Sequence, residues 1–512
     1  MKKNKKKMCA WLITVALGLA IAGCSNAKMT TTTETTVQQS ETTAANTSSS
    51  TTKGAYSDED LNTSYSDSDT KIELSNGSAD ITGEGATFEN GNIKITKAGT
   101  YVLSGEFDGQ IITEVGDEDV VHLVFNGVNI TNTTSSAINA ATGKKVVITL
   151  VDGTTNTLSD GTSYEYADGE DEPDATLFVK NNLTINGTGS LNIDSNYATA
   201  IKAKDNLIIL DSKINIDSVV KAIKGKDSVT IENADITINA EDDGITTDGA
   251  MVINSGNINI EKSGEGLEGV SIDINGGNID IVATDDGINA RGLIDDSATD
   301  AEKEAYGEEN QADTYLRITG GTVNINASAD GIDSNGQVYI DGGTVYVSGA
   351  TSGPDVALDY NGKAVITGGT FVSTGVQEMA QTFDSSSTQN FITVYYDSAV
   401  AAGSEIKVTD KDGNTVLSYN ADKEFTFAVI SSDKLSTGET YTVTAGDNSN
   451  EVTITAGGNT IGESSVAGPG GNGGPGGNPP TGQPPQKPTD ANGNEIEMSG
   501  PPSGESSQTE KN

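Results

Sequence analysis

A triplet recurs through the middle of this chain at a nearly constant interval. Its copies are Thr199-Ala200-Ile201, Lys221-Ala222-Ile223, Asp243-Gly244-Ile245, Glu265-Gly266-Leu267, Asp286-Gly287-Ile288 and Asp330-Gly331-Ile332. Their aliphatic residues lie 22, 22, 22, 21 and 44 positions apart, the last interval being two periods or one period with an insertion. A weaker copy, Val356-Ala357-Leu358, follows after a slightly longer interval than the usual period. Each repeat also carries a short alternating run, such as Ile258-Asn259-Ile260, Ile279-Asp280-Ile281 or Val323-Asn324-Ile325. Alternation at period two puts the β-branched residues on one face of a strand. Turn signals precede these runs at Gly276-Gly277, Gly320-Gly321, Gly342-Gly343 and Gly368-Gly369. Short strands, Gly turns and one structural unit per period predict an all-β chain wound as a parallel β-helix. Equivalent residues then stack about 4.8 Å apart. The residue before each aliphatic position is always Ala or Gly, as a corner with little room for Cβ requires. A leucine-rich repeat would show Leu-x-x-Leu-x-Leu, which is absent, and a propeller blade needs about 40 residues or more.

The flanks read differently. Residues 1–23 resemble a secretory signal: a Lys-rich start, an apolar run from Met8 to Ala22, and Ile21-Ala22-Gly23 before Cys24. That setting marks Cys24 as a lipidation site, so the mature chain is expected outside the cell, held to its membrane by lipid. Cys9 and the single Trp, Trp11, leave with the signal, so no intrachain disulfide is expected. Residues 24–70 begin as a Thr/Ser-rich tether with too little apolar surface to fold. The β-helix is assigned to 71–390. Residues 391–457 alternate in a new pattern, with Asp412-Gly413 as a turn, and are expected to form a small C-terminal β module or cap. The Gly/Pro-rich stretch 458–512 reads as a disordered tail.

Charge bears directly on function. The chain holds 74 Asp+Glu against 30 Lys+Arg, a formal net charge of −44. Loss of the signal removes five lysines and no acid, deepening the excess. No basic face is available for nucleic acid. Part of the excess recurs with the repeat. Asp243, Glu265, Asp286 and Asp330 share the position before the Gly corner, and Asp242 and Asp285 share the one before that. Glu268, Asp333 and Asp359 fall three residues after the acid column. Carboxylates stacked at strand spacing must be protonated, paired or bridged. Lys221 is the only lysine in the column, and Arg291 lies close by. A hard cation, Ca²⁺, is the simplest bridge, since it accepts six to eight oxygens in flexible geometry. A transition metal would prefer His or Cys, and the chain has one His, His122. The plain alternative is a solvated acidic face. The extra residues from Leu293 to Tyr315, rich in acids, are expected as an insertion at this same edge.

Leu123-Val124-Phe125-Asn126-Gly127-Val128-Asn129-Ile130, the run from Val147 to Asp160 with Asn156-Thr157-Leu158-Ser159-Asp160, and the Asp-Asp-Gly-Ile copies at 242–245 and 285–288 resemble the clostridial-type bacterial carbohydrate-binding β-helix domain proteins. So does the segment around Ser431-Ser432-Asp433-Lys434-Leu435. The resemblance spans roughly residues 70 to 460. It implies a right-handed parallel β-helix of the pectate-lyase type, Ca²⁺, and non-catalytic binding of plant-type polysaccharide, acidic (pectin-like) or cellulosic. The expected metal ligands are Asp242, Asp243, Glu265, Glu268, Asp285, Asp286, Asp330 and Asp333. Tyr339, Tyr346, Asp359 and Tyr360 are the expected sugar contacts, and the protein is expected to act as a monomer. Two alternatives remain: a Ca²⁺-dependent polysaccharide lyase, for which Arg291 is the candidate base, and a surface adhesin without sugar specificity. In the sequence no acid stands in an apolar setting that would raise its pKa for hydrolytic chemistry.

Overall fold

The computed structural model describes residues 56–293 and 309–465. These residues are all-β, with one four-residue helix, Asp58–Leu61. Two long sheets dominate, of 25 and 11 strands among the described residues, and their strands pair mostly in parallel. From residue 175 to 348 each repeat supplies three strands. The 223–240 repeat, for example, gives Ile223–Gly225, Ser228–Glu232 and Ala234–Ala240. Each pairs in register with its counterpart one repeat on: Ile223 with Ile245, Ile231 with Ile253, and Ile236 with Ile258. Aliphatic residues on the alternating positions turn inward and are almost wholly buried. They form one continuous cluster from Ile72 to Val429. At about 0.8 kcal/mol per buried CH₂, this stacking is the main stabilising term, and no single repeat could bury its face alone.

The long interval between Asp286 and Asp330 is one period with an insertion: Ile288 pairs directly with Ile332, and Asn289 with Asp333. Residues 294–308 of that insertion lie outside the described residues. The glycine corner is a close approach between repeats. A Cβ on Gly244 would stand 2.6 Å from the Gly266 carbonyl oxygen, and one on Gly287 2.5 Å from that of Gly331.

At the C-terminal side the strand Thr370–Gly375 turns the pairing antiparallel, against Phe425–Ser432. Phe425–Ser432 in turn pairs with Phe391–Val400. A separate four-stranded antiparallel sheet follows, built from Glu405–Asp410, Thr415–Asn420, Thr440–Ala445 and Asn448–Thr453. It packs over a second buried cluster that includes Ile406, Val408, Phe425 and Val443.

Part of the stretch expected as free tether is ordered against the sheet. Asp60 is 2% exposed and its carboxylate accepts from Lys145 Nζ at 2.7 Å. Asn186 Nδ2 donates to the Asp60 carbonyl, and Tyr56 Oη donates to Glu232 at 2.6 Å. A buried carboxylate that pairs with a lysine from a distant part of the chain leaves no periodic trace in the sequence. The stretch expected as a disordered tail begins in order: Gly458–Ile461 is a strand paired in parallel with Phe391–Val400. The signal segment, Cys24 and the rest of the Gly/Pro-rich tail, from residue 466 on, lie outside the described residues.

Candidate functional site

The repeat register brings the acid column together. Gly244 N–H donates to the Glu265 carbonyl, Gly266 N–H to that of Asp286, Gly287 N–H to that of Asp330, and Gly331 N–H to that of Val356. Lys221, Asp243, Glu265, Asp286 and Asp330 therefore occupy successive rungs. The column three residues on runs Thr246, Glu268, Asn289, Asp333 and Asp359 through the strand pairings and a final bridge between Ile332 and Leu358.

Two groups of carboxylates converge. Oxygens of Asp243, Glu265 and Glu268 all lie within 4.8 Å of one another, and so do those of Asp330, Asp333 and Asp359. The two groups differ in what balances them. Lys221 pairs with Asp243 and reaches Asp242 at 3.3 Å. Arg291 Nε donates to Glu268 at 2.6 Å. Among the described residues no lysine or arginine pairs with Asp330 or Asp333. Gln381 and the Tyr360 N–H donate to Asp359, and the Val356 N–H donates to Asp330 at 2.5 Å.

Burial and mutual repulsion leave four carboxyls of this edge reluctant to ionise. Burial, then the neighbouring Asp286 and Asp330, push the Asp333 carboxyl up to about 8. Burial followed by Asp330 lifts Asp286 to about 7. Burial, with Asp359 and Asp355 adding to it, lifts Asp330 to about 7. Glu265 is raised to about 7 by burial and then by Glu268. Raised carboxyls were not legible from the sequence, because desolvation depends on what packs over the edge.

Asn289 is the residue that counting acids overlooks. It sits on the Glu268–Asp333 column and donates to Glu265 Oε1 at 3.2 Å. Its Oδ1 and Glu265 Oε2 are both buried without a hydrogen-bond partner. Two orphaned acceptors beside converging carboxylates are an unsatisfied oxygen set, the donor chemistry that a hard cation takes. Counting the offset from the Gly corner, rather than acids alone, would have found Asn289.

The other expected residues are placed as follows. Asp285 is exposed, and Asp242 is exposed apart from its contact with Lys221. Arg291 faces Glu268 rather than Asp285 or Asp286, and Glu268 helps hold the guanidinium charged against the opposing effect of burial. The Tyr339 ring lies 4.5 Å beneath the Arg317 guanidinium. Tyr346 stacks on Tyr419, with ring centroids 4.8 Å apart. The Tyr360 hydroxyl donates to the Thr382 carbonyl.

Residues 89–355 match a family model described as carbohydrate-binding domain-containing protein. A carbohydrate-binding domain-containing protein of Acetivibrio thermocellus is 38% identical over 135 residues, which are 26% of this chain and 47% of that protein. This chain thus spans about half the length of that curated relative. A solved polysaccharide lyase-like protein from C. thermocellum, a gadolinium derivative, is 29% identical, with a TM-score of 0.36 over 58% of this chain and 97% of that one. The family model covers more than half of the 512 residues and contains most of the acid ladder, and the chain belongs to the carbohydrate-binding domain-containing proteins.

Proposed function

We propose that this protein is an exported, lipid-anchored binding module whose β-strands wind as a right-handed parallel β-helix. The module takes acidic plant-type polysaccharide through Ca²⁺ on its carboxylate edge. Parallel pairing of the short strands, in register from one repeat to the next, supports the winding. The observation that carries the calcium reading is the pairing of converging carboxylates with orphaned acceptors, Glu265 Oε2 and Asn289 Oδ1. Asp330, Asp333 and Asp359 would hold one ion, and Glu265, Glu268 and Asn289 a second. Bound Ca²⁺ would supply the positive charge that uronate carboxylates require. Without it the negative charge, −44 over the full chain and deeper once the signal is lost, repels an acidic polymer.

Binding is favoured over lyase chemistry because Arg291, the candidate base, is engaged by Glu268. An abstracting base must be available in its neutral form near the operating pH, and an ion-paired guanidinium is not.

The test is retardation in gels containing polygalacturonate, with Ca²⁺ and with chelator, while absorbance in the ultraviolet is followed for unsaturated product. Retardation should require Ca²⁺ and no product should form. Retardation unchanged by chelator would end the calcium reading, and product formation would end the non-catalytic one.

A further inference from the structure

The outward face of the strands Asn278–Ala283, Thr322–Ala327 and Thr344–Ser348 lies beside the C-terminal strand Thr415–Asn420 across a cavity of about 360 Å³. Its lining includes Asp280, Asn324, Asn326, Tyr346, Tyr419 and Asp422. This groove is separate from the acid ladder, and its two aromatic residues come from different modules of the chain. We propose that it is a second saccharide site, selective for neutral pyranoses and independent of any cation. The inference rests on the family's carbohydrate binding but not on calcium.

Three observations carry it. The Tyr346 and Tyr419 rings are nearly parallel, 16° between planes at 4.8 Å. Both rings line the groove and each covers one face of the other, so contact with the C–H face of a pyranose falls to the ring surface that the stack leaves open. The polar lining is amide and carboxylate. Asn324 Nδ2 donates to Asp280 Oδ1 at 2.7 Å, a pair that still offers acceptor lone pairs and an N–H to sugar hydroxyls. The third is register. Asp280 pairs with Asn324 and Asn324 with Tyr346 on successive strands, and the column extends back through Asn259 to Thr237. Side chains recurring about every 4.8 Å match the length of one pyranose in an extended glycan lying along the column.

Charge decides the sugar class. Asp280 and Asp422 line the groove, and no lysine or arginine does. The adjacent Lys423 is turned away and donates to the Ala327 carbonyl. A uronate would meet only like charge here, whereas a neutral hexose meets hydrogen-bonding partners.

The experiment is affinity electrophoresis of the mature chain in gels of a soluble neutral β-glucan and, in parallel, of polygalacturonate, each with chelator and with Ca²⁺. The neutral glucan should retard the wild type equally in both conditions. Tyr419→Ala and Asp422→Ala should each weaken that retardation about tenfold and leave Ca²⁺-dependent polygalacturonate retardation unchanged. Tyr419→Phe, which keeps the stack, should retain binding, so a loss in Tyr419→Ala through misfolding is separated by Asp422→Ala and by the melting temperatures. Neutral-glucan retardation that is absent in the wild type, undiminished in both Ala variants, or present only with Ca²⁺ overturns the inference. If polygalacturonate retardation survives such a result, the calcium reading stands. If neither polymer retards the wild type, both readings fall.

Discussion

In chelator the protein should lose stability as pH rises from neutral to mildly alkaline. Glu265, Asp286 and Asp330 stand at about 7 and Asp333 at about 8 in the folded chain. Unfolded, each returns to about 4. Between those values the folded chain holds protons that the unfolded chain has released, so stability is full at the acid end and is lost as pH rises through the folded values. His122, buried and held below its ordinary value by burial, works in the opposite sense below about pH 6.5. The clean window therefore runs from about pH 6.5 to about 8.5. Across it Asp333 loses about 2 kcal/mol and each of the other three about 1 kcal/mol, or about 4 kcal/mol in all once shared protons are allowed for. At about 2 °C per kcal/mol for a chain of this size, the melting temperature in chelator should fall by about 8 °C. Excess Ca²⁺ should restore it by binding only the folded state. Asp333→Asn should raise the chelated melting temperature at pH 8.5, because it removes the most resisted charge, and should blunt the Ca²⁺ response. Scanning calorimetry at several pH values reads all of this. A flat or rising chelated melting temperature across the window, or a full Ca²⁺ response in Asp333→Asn, would refute the reasoning.

Three further outcomes follow from the geometry. Asp60→Ala strands the largely buried Lys145 ammonium and should cost about 3–5 kcal/mol where strap and sheet unfold together, read as a lower urea midpoint. Gly287→Ala drives a Cβ toward the Gly331 carbonyl and should destabilise by about 1–3 kcal/mol, whereas Gly91→Ala, where a Cβ meets nothing within 4 Å, should show only the smaller strain of its positive φ in the same melt. Cys24→Ala should move the protein from the membrane fraction to the soluble one on cell fractionation, and unchanged retention would remove the lipid anchor.

Much of the arrangement is legible without coordinates because stacking converts sequence spacing into spatial register. Counting from the Gly corner puts Asp243, Glu265 and Asp286 on successive rungs, and hydrogen bonds such as Gly266 N–H to the Asp286 carbonyl follow that order. The alternation of Ile258, Ile260, Ile279 and Ile281 likewise announces a buried face, and each is at most 2% exposed. These are local periodicities, and a chain that repeats its pattern repeats its environment.

What tertiary structure alone decided is everything that breaks the period. The interval between Asp286 and Asp330 became a single rung only when Ile288 was found opposite Ile332. The acid ladder divided into a balanced part, met by Lys221 and Arg291, and an unbalanced part at Asp330 and Asp333. That division depends on where long side chains reach across rungs. Asp60 on Lys145 and Tyr346 on Tyr419 join segments whose separation bears no relation to the repeat length. Periodicity determines which residues share a column. Contacts between unlike segments, and the desolvation that raises a carboxyl to about 8, depend on how the chain folds back over itself, which spacing does not encode.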